Sequence, residues 1–345
     1  MAKAPSTARR KDQHVDLCLT RDVSSGSRHA ESAWNAVEIP HCALPEMSLS
    51  EVNLETEFLG HRYSSPILIS SMTGGTPKSD RINQRLAKFA QAKNIPMGIG
   101  SQRLLIEKPA LAKKSNLRKF APKAKLFANI GAVQLNFGVS IDDIRRLIDS
   151  TESDGLFIHL NALQEAIQSE GDRDFSALIP KLEKLRAQIN VPMILKETGC
   201  GLDPQSVRQA RHIGFDAVET SGKGGTHWGY IEGLRSPKRR DLGELFRNWG
   251  IPSPQAITLA RQSVGPDFPI IGSGGIRSGL DAARALYLGA DFCGLALPFL
   301  QAASKGEKAL EDFYAFLTEA LRVSLFCSAS KNPKELKGHG PIGKN

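Results

Sequence analysis

The stretch Leu156-Phe157-Ile158-His159-Leu160-Asn161-Ala162-Leu163-Gln164-Glu165 begins as an apolar run and ends in four polar side chains, those of His159, Asn161, Gln164 and Glu165. Such an ending predicts a buried barrel strand that delivers its carboxyl-terminal residues to a site. Outward from it, further short apolar runs lie at Ile67 to Ser71, Ile95 to Ile99, Leu126 to Ile130, Met193 to Lys196, Ala217 to Thr220, Pro269 to Gly272 and Phe292 to Ala296. With 156–160 included they number eight, the count that closes a (β/α)8 barrel. Amphipathic segments between them read as helices: Ser79 to Lys93, Phe175 to Ile189, Pro204 to Ile213, Pro254 to Val264, Gly279 to Leu288 and Lys308 to Phe326.

The length agrees, because a chain of 345 residues accommodates one such barrel, which takes roughly 250 residues and tolerates insertions. A single α/β TIM-barrel domain over 1–345 is expected, preceded by an extended N-terminal segment. Residues 1–8 and about 330–345, rich in Lys, Ser, Pro and Gly, are expected to be loosely ordered. The interval from Gly222 to Phe268, after the sixth run, is too long for one loop and one helix. Its first part, Thr226 to Arg240, carries His227, Trp228, Tyr230 and Glu232 and is expected to form a lid that excludes water.

Hydrophobic residues at 41% and charged residues at 23% suit a chain that buries a core, and exclude bulk disorder. A formal charge of +9 favours anionic ligands such as phosphorylated small molecules, nucleic acid or anionic membrane. No nucleic-acid-binding pattern and no run of roughly 18 apolar residues accompanies it, so neither nucleic acid nor membrane is expected as a partner. Cys18, Cys42, Cys200, Cys293 and Cys327 are widely spaced with no C-x-x-C pair, which suits a reducing cytosol. With no signal-like segment at the N-terminus, a cytoplasmic location is expected.

Polar residues follow nearly every run. Gly272-Ser273-Gly274-Gly275-Ile276-Arg277 opens a helix after the seventh run, where backbone amides, the helix dipole and Arg277 suit a phosphate. A tight turn needing positive φ is the plainer reading of the same glycines. Lys196 ends a buried strand and needs a negative neighbour. A Schiff base, a pair with Glu197 or Glu219, and an electron-rich cofactor ring are the alternatives; with a phosphate site nearby, reduced flavin mononucleotide (FMN) satisfies Lys196 best. Asn129 and the segment Ser70, Ser71, Met72 and Thr73 offer neutral groups for the polar edge of such a ring, or serve as helix caps. Glu165 is either a hard-metal ligand beside a diphosphate or a first-turn carboxylate held by the helix dipole. Arg10-Lys11-Asp12-Gln13-His14 is either a solvated basic run or, with Arg103, part of a diphosphate clamp.

Three rival readings share these features. A flavin barrel oxidising a 2-hydroxy acid needs a His base beside an Arg pair. A nucleotide dehydrogenase needs a nucleophilic Cys, for which Cys200 is the candidate, and a non-catalytic barrel would bind phosphorylated ligands or nucleic acid through charge alone.

Taken together, the segments resemble the type 2 isopentenyl-diphosphate isomerases, which use FMN. The likeness covers about residues 9 to 327. It is carried by Arg-Lys-Asp-Gln-His at 10–14, Ser-Ser-Met-Thr-Gly-Gly at 70–75, Gly-Ser-Gln-Arg at 100–103, Asn-Ile-Gly-Ala at 129–132 and His-Leu-Asn-Ala-Leu-Gln-Glu at 159–165. Lys-Glu-Thr-Gly-Cys-Gly at 196–201, Ser-Gly-Lys-Gly-Gly-Thr at 221–226 and Gly-Ser-Gly-Gly-Ile-Arg at 272–277 complete it. Each glycine motif alone is weak, and the ordered set is specific.

The resemblance implies that Arg10, Lys11, Ser101, Gln102, Arg103 and Gln164 contact substrate, with His14, His159 and Asn161 nearby, and that Glu165 binds Mg2+. It implies that Ser71, Met72, Thr73, Ser101, Asn129, Lys196, Ser221, Thr226, Gly275, Arg277, Ala296 and Leu297 surround the flavin. Ser70 and Gly274 join that set by position, and Gln164, Lys196 and His159 are the expected catalytic residues. The implied reaction is a 1,3-allylic proton shift converting isopentenyl diphosphate to dimethylallyl diphosphate in isoprenoid biosynthesis, with the flavin kept reduced by NADPH. A homo-oligomer, tetramer or octamer, is the implied assembly. Ala162 stands where many members have Pro, and Val133 and Lys223 are small departures beside motif residues; none removes a proposed contact.

Overall fold

Short strands, apolar along nearly their whole length, pair in parallel and close on themselves in a computed structural model that describes residues 7–26, 33–72, 76–111 and 116–341. A hairpin comes first, β1 (Thr56–Phe58) and β2 (His61–Tyr63). The barrel strands are β3 (Ile67–Ile69), β4 (Met97–Gly98), β5 (Leu126–Gly131), β6 (Gly155–Leu160), β7 (Met193–Glu197), β8 (Ala217–Glu219), β9 (Ile270–Ser273) and β10 (Phe292–Leu295). Each neighbours the next in sequence, and β10 returns to β3. All eight apolar runs therefore became barrel strands, and the (β/α)8 expectation holds.

Strand residues alternate between two apolar environments, which is why the runs show no polar face. Leu68, Phe127, Phe157, Ile194, Ala217, Ile271 and Phe292 fill the barrel interior. Phe58 and Tyr63 of the hairpin join them, their rings 4.8 and 5.6 Å from that of Phe292, so the hairpin plugs the amino-terminal end of the barrel. Full burial of one such side chain contributes roughly 2–3 kcal/mol. Ile67 and Ile69 point outward instead, into the cluster that holds Leu86, Ala87 and Ala90 of the helix Pro77–Lys93.

The outer helices start where side chains satisfy their free amides. Thr76, Ser140 and Ser278 form capping boxes ahead of Pro77–Lys93, Ile141–Thr151 and Gly279–Tyr287, and Asp203 caps Pro204–Ile213. The helix expected from Phe175 to Ile189 is shorter, Leu178–Arg186, because Asp174 Oδ1 accepts the Ser176 amide at 2.9 Å and sets a turn first.

One expectation is corrected. Residues about 330–345 were expected to be loose, yet 330–341 pack: the helix Pro333–Gly338 buries Leu336, Ser330 is buried, and Lys337 pairs with Asp291. One buried leucine and one ion pair outweigh the Lys- and Gly-rich composition there. At the other end, the helix Thr7–Thr20 begins inside the stretch 1–8. The segment 226–240, expected as a lid, contains the helix Trp228–Arg235, whose Ile231 and Glu232 are buried.

Candidate active site

The carboxyl-terminal ends of all eight barrel strands open into one cavity of about 650 Å³, within the range of small-molecule sites. Its wall includes Ser70, Ser71 and Met72 after β3, Ser101 and Arg103 after β4, and Asn129 on β5. His159 on β6, Asn161, Gln164 and Glu165 beyond it, and Lys196 on β7 complete one half. Ser221 and Thr226 after β8, Gly274, Gly275 and Arg277 after β9, and Ala296 and Leu297 after β10 line the other. Arg10, Lys11 and His14 reach in from the N-terminal helix of the same chain. That helix is held in place by Asp12, which accepts from Thr76 Oγ1 at 2.6 Å.

Two predicted residues stand apart. Thr73 lies outside the described residues. Gln102 is buried behind the wall, where its Oε1 accepts the Asn129 amide at 3.1 Å and its own amide donates to the Asn129 carbonyl at 2.8 Å. It braces β5 against the loop after β4.

On the β6 side the polar cluster divides. The helix Ala162–Ile167 starts directly after the strand, so Gln164 and Glu165 diverge. Glu165 Oε1 accepts from Asn161 Nδ2 at 2.8 Å and Oε2 accepts the Asp172 amide at 2.8 Å. Burial raises the Glu165 carboxyl above its usual range, against those two bonds. Asn161 Oδ1 is buried with no partner among the described residues. Gln164 Nε2 instead donates to Glu232 Oε1 at 3.0 Å.

Glu232, named from the sequence only as part of the lid, is a hub. His14 Nε2 donates to its Oε1 at 3.0 Å, and Arg235 pairs with its Oε2. Gln168, with its amide oriented as its neighbours require, donates to Glu232 Oε1 at 3.1 Å and accepts from Arg10 Nη1 at 2.9 Å. Burial alone would raise the Glu232 carboxyl; the bond and charge of His14, the charge of Arg235 and the bond from Gln164 prevail and hold it at about 2. A carboxylate so stabilised is a poor proton acceptor and a strong anchor.

His159 Nδ1 donates to Asn129 Oδ1 at 2.6 Å. Burial, with Lys196 nearby, lowers the imidazole to about 3, so it is neutral at ordinary pH. His159 and Lys196 are register partners on β6 and β7. Lys196 Nζ donates to the Glu197 carbonyl at 2.8 Å and to Ser221 Oγ at 3.3 Å, and lies 3.7 Å from Glu219 Oε2. The pairing with Glu219 is therefore present, whereas the Glu197 carboxylate is taken by the amides of Gly199, Cys200 and Gly201.

The basic residues each have a tether. Lys11 Nζ donates to the Ser101 carbonyl at 2.8 Å, and burial, with Arg10 beside it, lowers its ammonium to about 8. Arg103 bridges Glu107 at 2.7 Å and Asp172. Asp172 also receives Gln134 Nε2 at 3.1 Å. Gln134 and Gln168 line the cavity and were missed. Only Gln134 carried a signal, as a polar residue just after a strand run.

The wall fits FMN on three observations. Ser71 Oγ and Glu219 Oε2 are buried without hydrogen-bond partners among the described residues, and both residues line the cavity. Gly274 and Gly275 have φ of 103° and 72°, and a Cβ on Gly225 would stand 2.6 Å from the Gly275 nitrogen, so bare backbone from two loops forms the floor of a phosphate cradle. Lys196 supplies a buried ammonium from β7. Cys200, by contrast, does not line the cavity, and burial with Glu197 beside it pushes its thiol up, which removes the nucleophile a nucleotide dehydrogenase needs.

Comparison with known proteins agrees. The FMN-dependent dehydrogenase family matches residues 132–340. An isopentenyl-diphosphate delta-isomerase of Nostoc sp. is 42% identical over 338 residues, covering 97% of this chain and 96% of the relative. That of Synechococcus sp. is 43% identical, covering 99% and 98%, and that of Rickettsia bellii is 40% identical, covering 95% and 96%. The chain belongs to the isopentenyl-diphosphate delta-isomerase family. Solved structures share the fold at low identity. A lactate oxidase of Pediococcus acidilactici has a TM-score of 0.67 at 14% identity, covering 96% of this chain and 91% of its own. A mandelate oxidase has a TM-score of 0.66 at 16% identity, covering 96% of each. Among the described residues no helix is long and apolar enough to cross a membrane.

Proposed function

We propose that this chain interconverts isopentenyl diphosphate and dimethylallyl diphosphate by a 1,3-allylic proton shift on reduced FMN, with Mg2+ at the diphosphate and NADPH as the reductant that readies the flavin. The observation that carries the reading is the convergence of a glycine cradle, a buried lysine and a basic N-terminal helix on one cavity. Bound and reduced, FMN supplies an electron-rich ring able to relay a proton to and from an alkene.

The chain's own residues do the rest. Gly274, Gly275 and Arg277 hold the flavin phosphate, and Lys196 balances negative charge on the ring. Ser70, Ser71, Met72, Asn129, Ser221, Thr226, Ala296 and Leu297 enclose the ring, and Thr73 joins them in the reading. Arg10, Lys11 and Arg103 receive the diphosphate, with Arg103 exchanging Asp172 for a phosphate oxygen. Glu165 and the unpartnered Asn161 Oδ1 offer oxygen ligands for Mg2+, which needs only one or two protein ligands beside a diphosphate. His159 is neutral in the free protein; an arriving diphosphate raises its proton affinity and lets Nε2 donate. Gln164, fixed by Glu232, and Trp228, whose ring is 5.1 Å from that of His14, close over the hydrocarbon end and exclude water. Remote diphosphate binding thereby orients an alkene that offers few handles.

A homo-oligomer is part of the proposal, and the exposed Leu245 and Trp249 supply apolar surface for one. The test is an anaerobic assay with dithionite-reduced FMN, Mg2+ and isopentenyl diphosphate. Dimethylallyl diphosphate should accumulate with no stoichiometric consumption of reductant; failure to form it sinks the reading.

A further inference from the structure

Segment 33–55 runs as a strap from the glycine turn after β9 to the C-terminal helix. Trp34, buried, donates from Nε1 to the Gly274 carbonyl at 3.0 Å, so the strap braces the glycine cradle directly. Its other end lies along the C-terminal helix Glu307–Phe326: Arg322 Nη1 donates to the Val52 carbonyl at 2.7 Å, and the Asn53 amide to the Lys331 carbonyl at 2.8 Å. Between these ties the Cys42 amide donates to the Cys327 carbonyl at 2.7 Å. Both cysteines are free and only half-buried.

That single bond limits the geometry. With an N···O separation of 2.7 Å, standard bond lengths cap the Cα···Cα distance at about 6.6 Å. Disulfides span roughly 4.4–6.8 Å between Cα atoms. We propose that Cys42 and Cys327 are a modification site, forming a reversible intrachain disulfide when the chain meets a low-molecular-weight disulfide. One thiolate attacks the small disulfide, forming a mixed disulfide and releasing one thiol; the second cysteine then displaces the other half as a thiol. Two protein thiols are oxidised and one small disulfide is reduced to two thiols. Selectivity follows from the surroundings of the others: Cys18 and Cys293 are buried, and burial pushes the thiols of Cys18, Cys200 and Cys293 up.

The consequence is a covalent clasp on the strap that backs the cradle. Oxidised glutathione is the probe, applied to the full-length flavin-loaded protein, with peptide mapping under non-reducing conditions. The expected product is one Cys42–Cys327 cross-linked peptide, lost on adding dithiothreitol. The melting temperature should rise by about 5 °C on oxidation, and Cys42→Ser and Cys327→Ser should each abolish that rise. If both cysteines remain open to alkylation, carry separate glutathione adducts, or cross-link to other cysteines, the proposal is overturned.

Discussion

His14 and Glu232, 218 residues apart, meet inside the cavity wall with Nε2 and Oε1 3.0 Å from each other. The contact joins the N-terminal helix to the helix of the insertion after β8, and Gln164 binds the same carboxylate oxygen from the β6 side. Three elements of the cavity wall thus share one buried anion.

Glu232→Gln removes that anion and leaves Glu170, 3.1 Å from Arg235 Nη2, as the remaining carboxylate beside Arg235. Turnover should fall on the order of 100-fold while the flavin still binds. Because the folded carboxyl is held at about 2, below its ordinary 4.5, its stabilising effect is present above the ordinary value and is lost as pH falls from about 4.5 toward about 2. Urea midpoints measured across that window should therefore fall more steeply with acid in the parent than in the variant, and equal slopes would rule the anchor role out.

Lys11 gives an alkaline limb. Its ammonium, lowered to about 8 by burial and Arg10, is charged below that pH and neutral above it. The value of kcat/KM for the diphosphate should decline above pH 8, since that ratio reports the free enzyme. Lys11→Arg keeps its charge throughout, so its profile should stay flat there; an unaltered limb in the variant would assign the titration elsewhere.

Glu165→Gln tests the metal site. The apparent Mg2+ requirement should rise by about 10- to 100-fold, with flavin affinity little changed because Glu165 lies on the β6 side of the cavity. A magnesium titration of initial rates is the measurement, and an unchanged midpoint excludes Glu165 as a ligand.

Lys196→Gln removes the cation beside the ring and leaves Glu219 buried without its charge partner. The two-electron potential of bound flavin should fall by roughly 30–60 mV, one to two tenfold steps in preference for the reduced form. Spectroelectrochemistry reads this without any turnover, and a potential equal to the parent's would remove Lys196 from contact with the ring.

The barrel and most of the residues that line its cavity were legible in the sequence. A parallel strand buried on both faces must be apolar throughout, so eight interrupted apolar runs announce themselves, and the fold's rule that strands end at the site turns the next few residues into candidates. Leu156 to Glu165 carries that signal in its plainest form. Gln102 also follows a strand, and there its Oε1 accepts the Asn129 amide at 3.1 Å.

Other properties were decided only by tertiary structure. Residue type names what a side chain can do, but protonation depends on which groups surround it after folding. Glu232, in a stretch read as a lid, became an anchored anion because His14, Arg235 and Gln164 converge on it. His159 became a neutral imidazole because folding buries it near Lys196. Leu336 turned a polar tail into a packed helix. The sequence by itself determined the barrel and which chemistry reaches its mouth, since both follow from local pattern and strand order. Only the three-dimensional meeting of residues more than 200 positions apart, as for His14 and Glu232, decided which groups carry charge and which hold others still, because burial and neighbouring charge are properties of the packed chain.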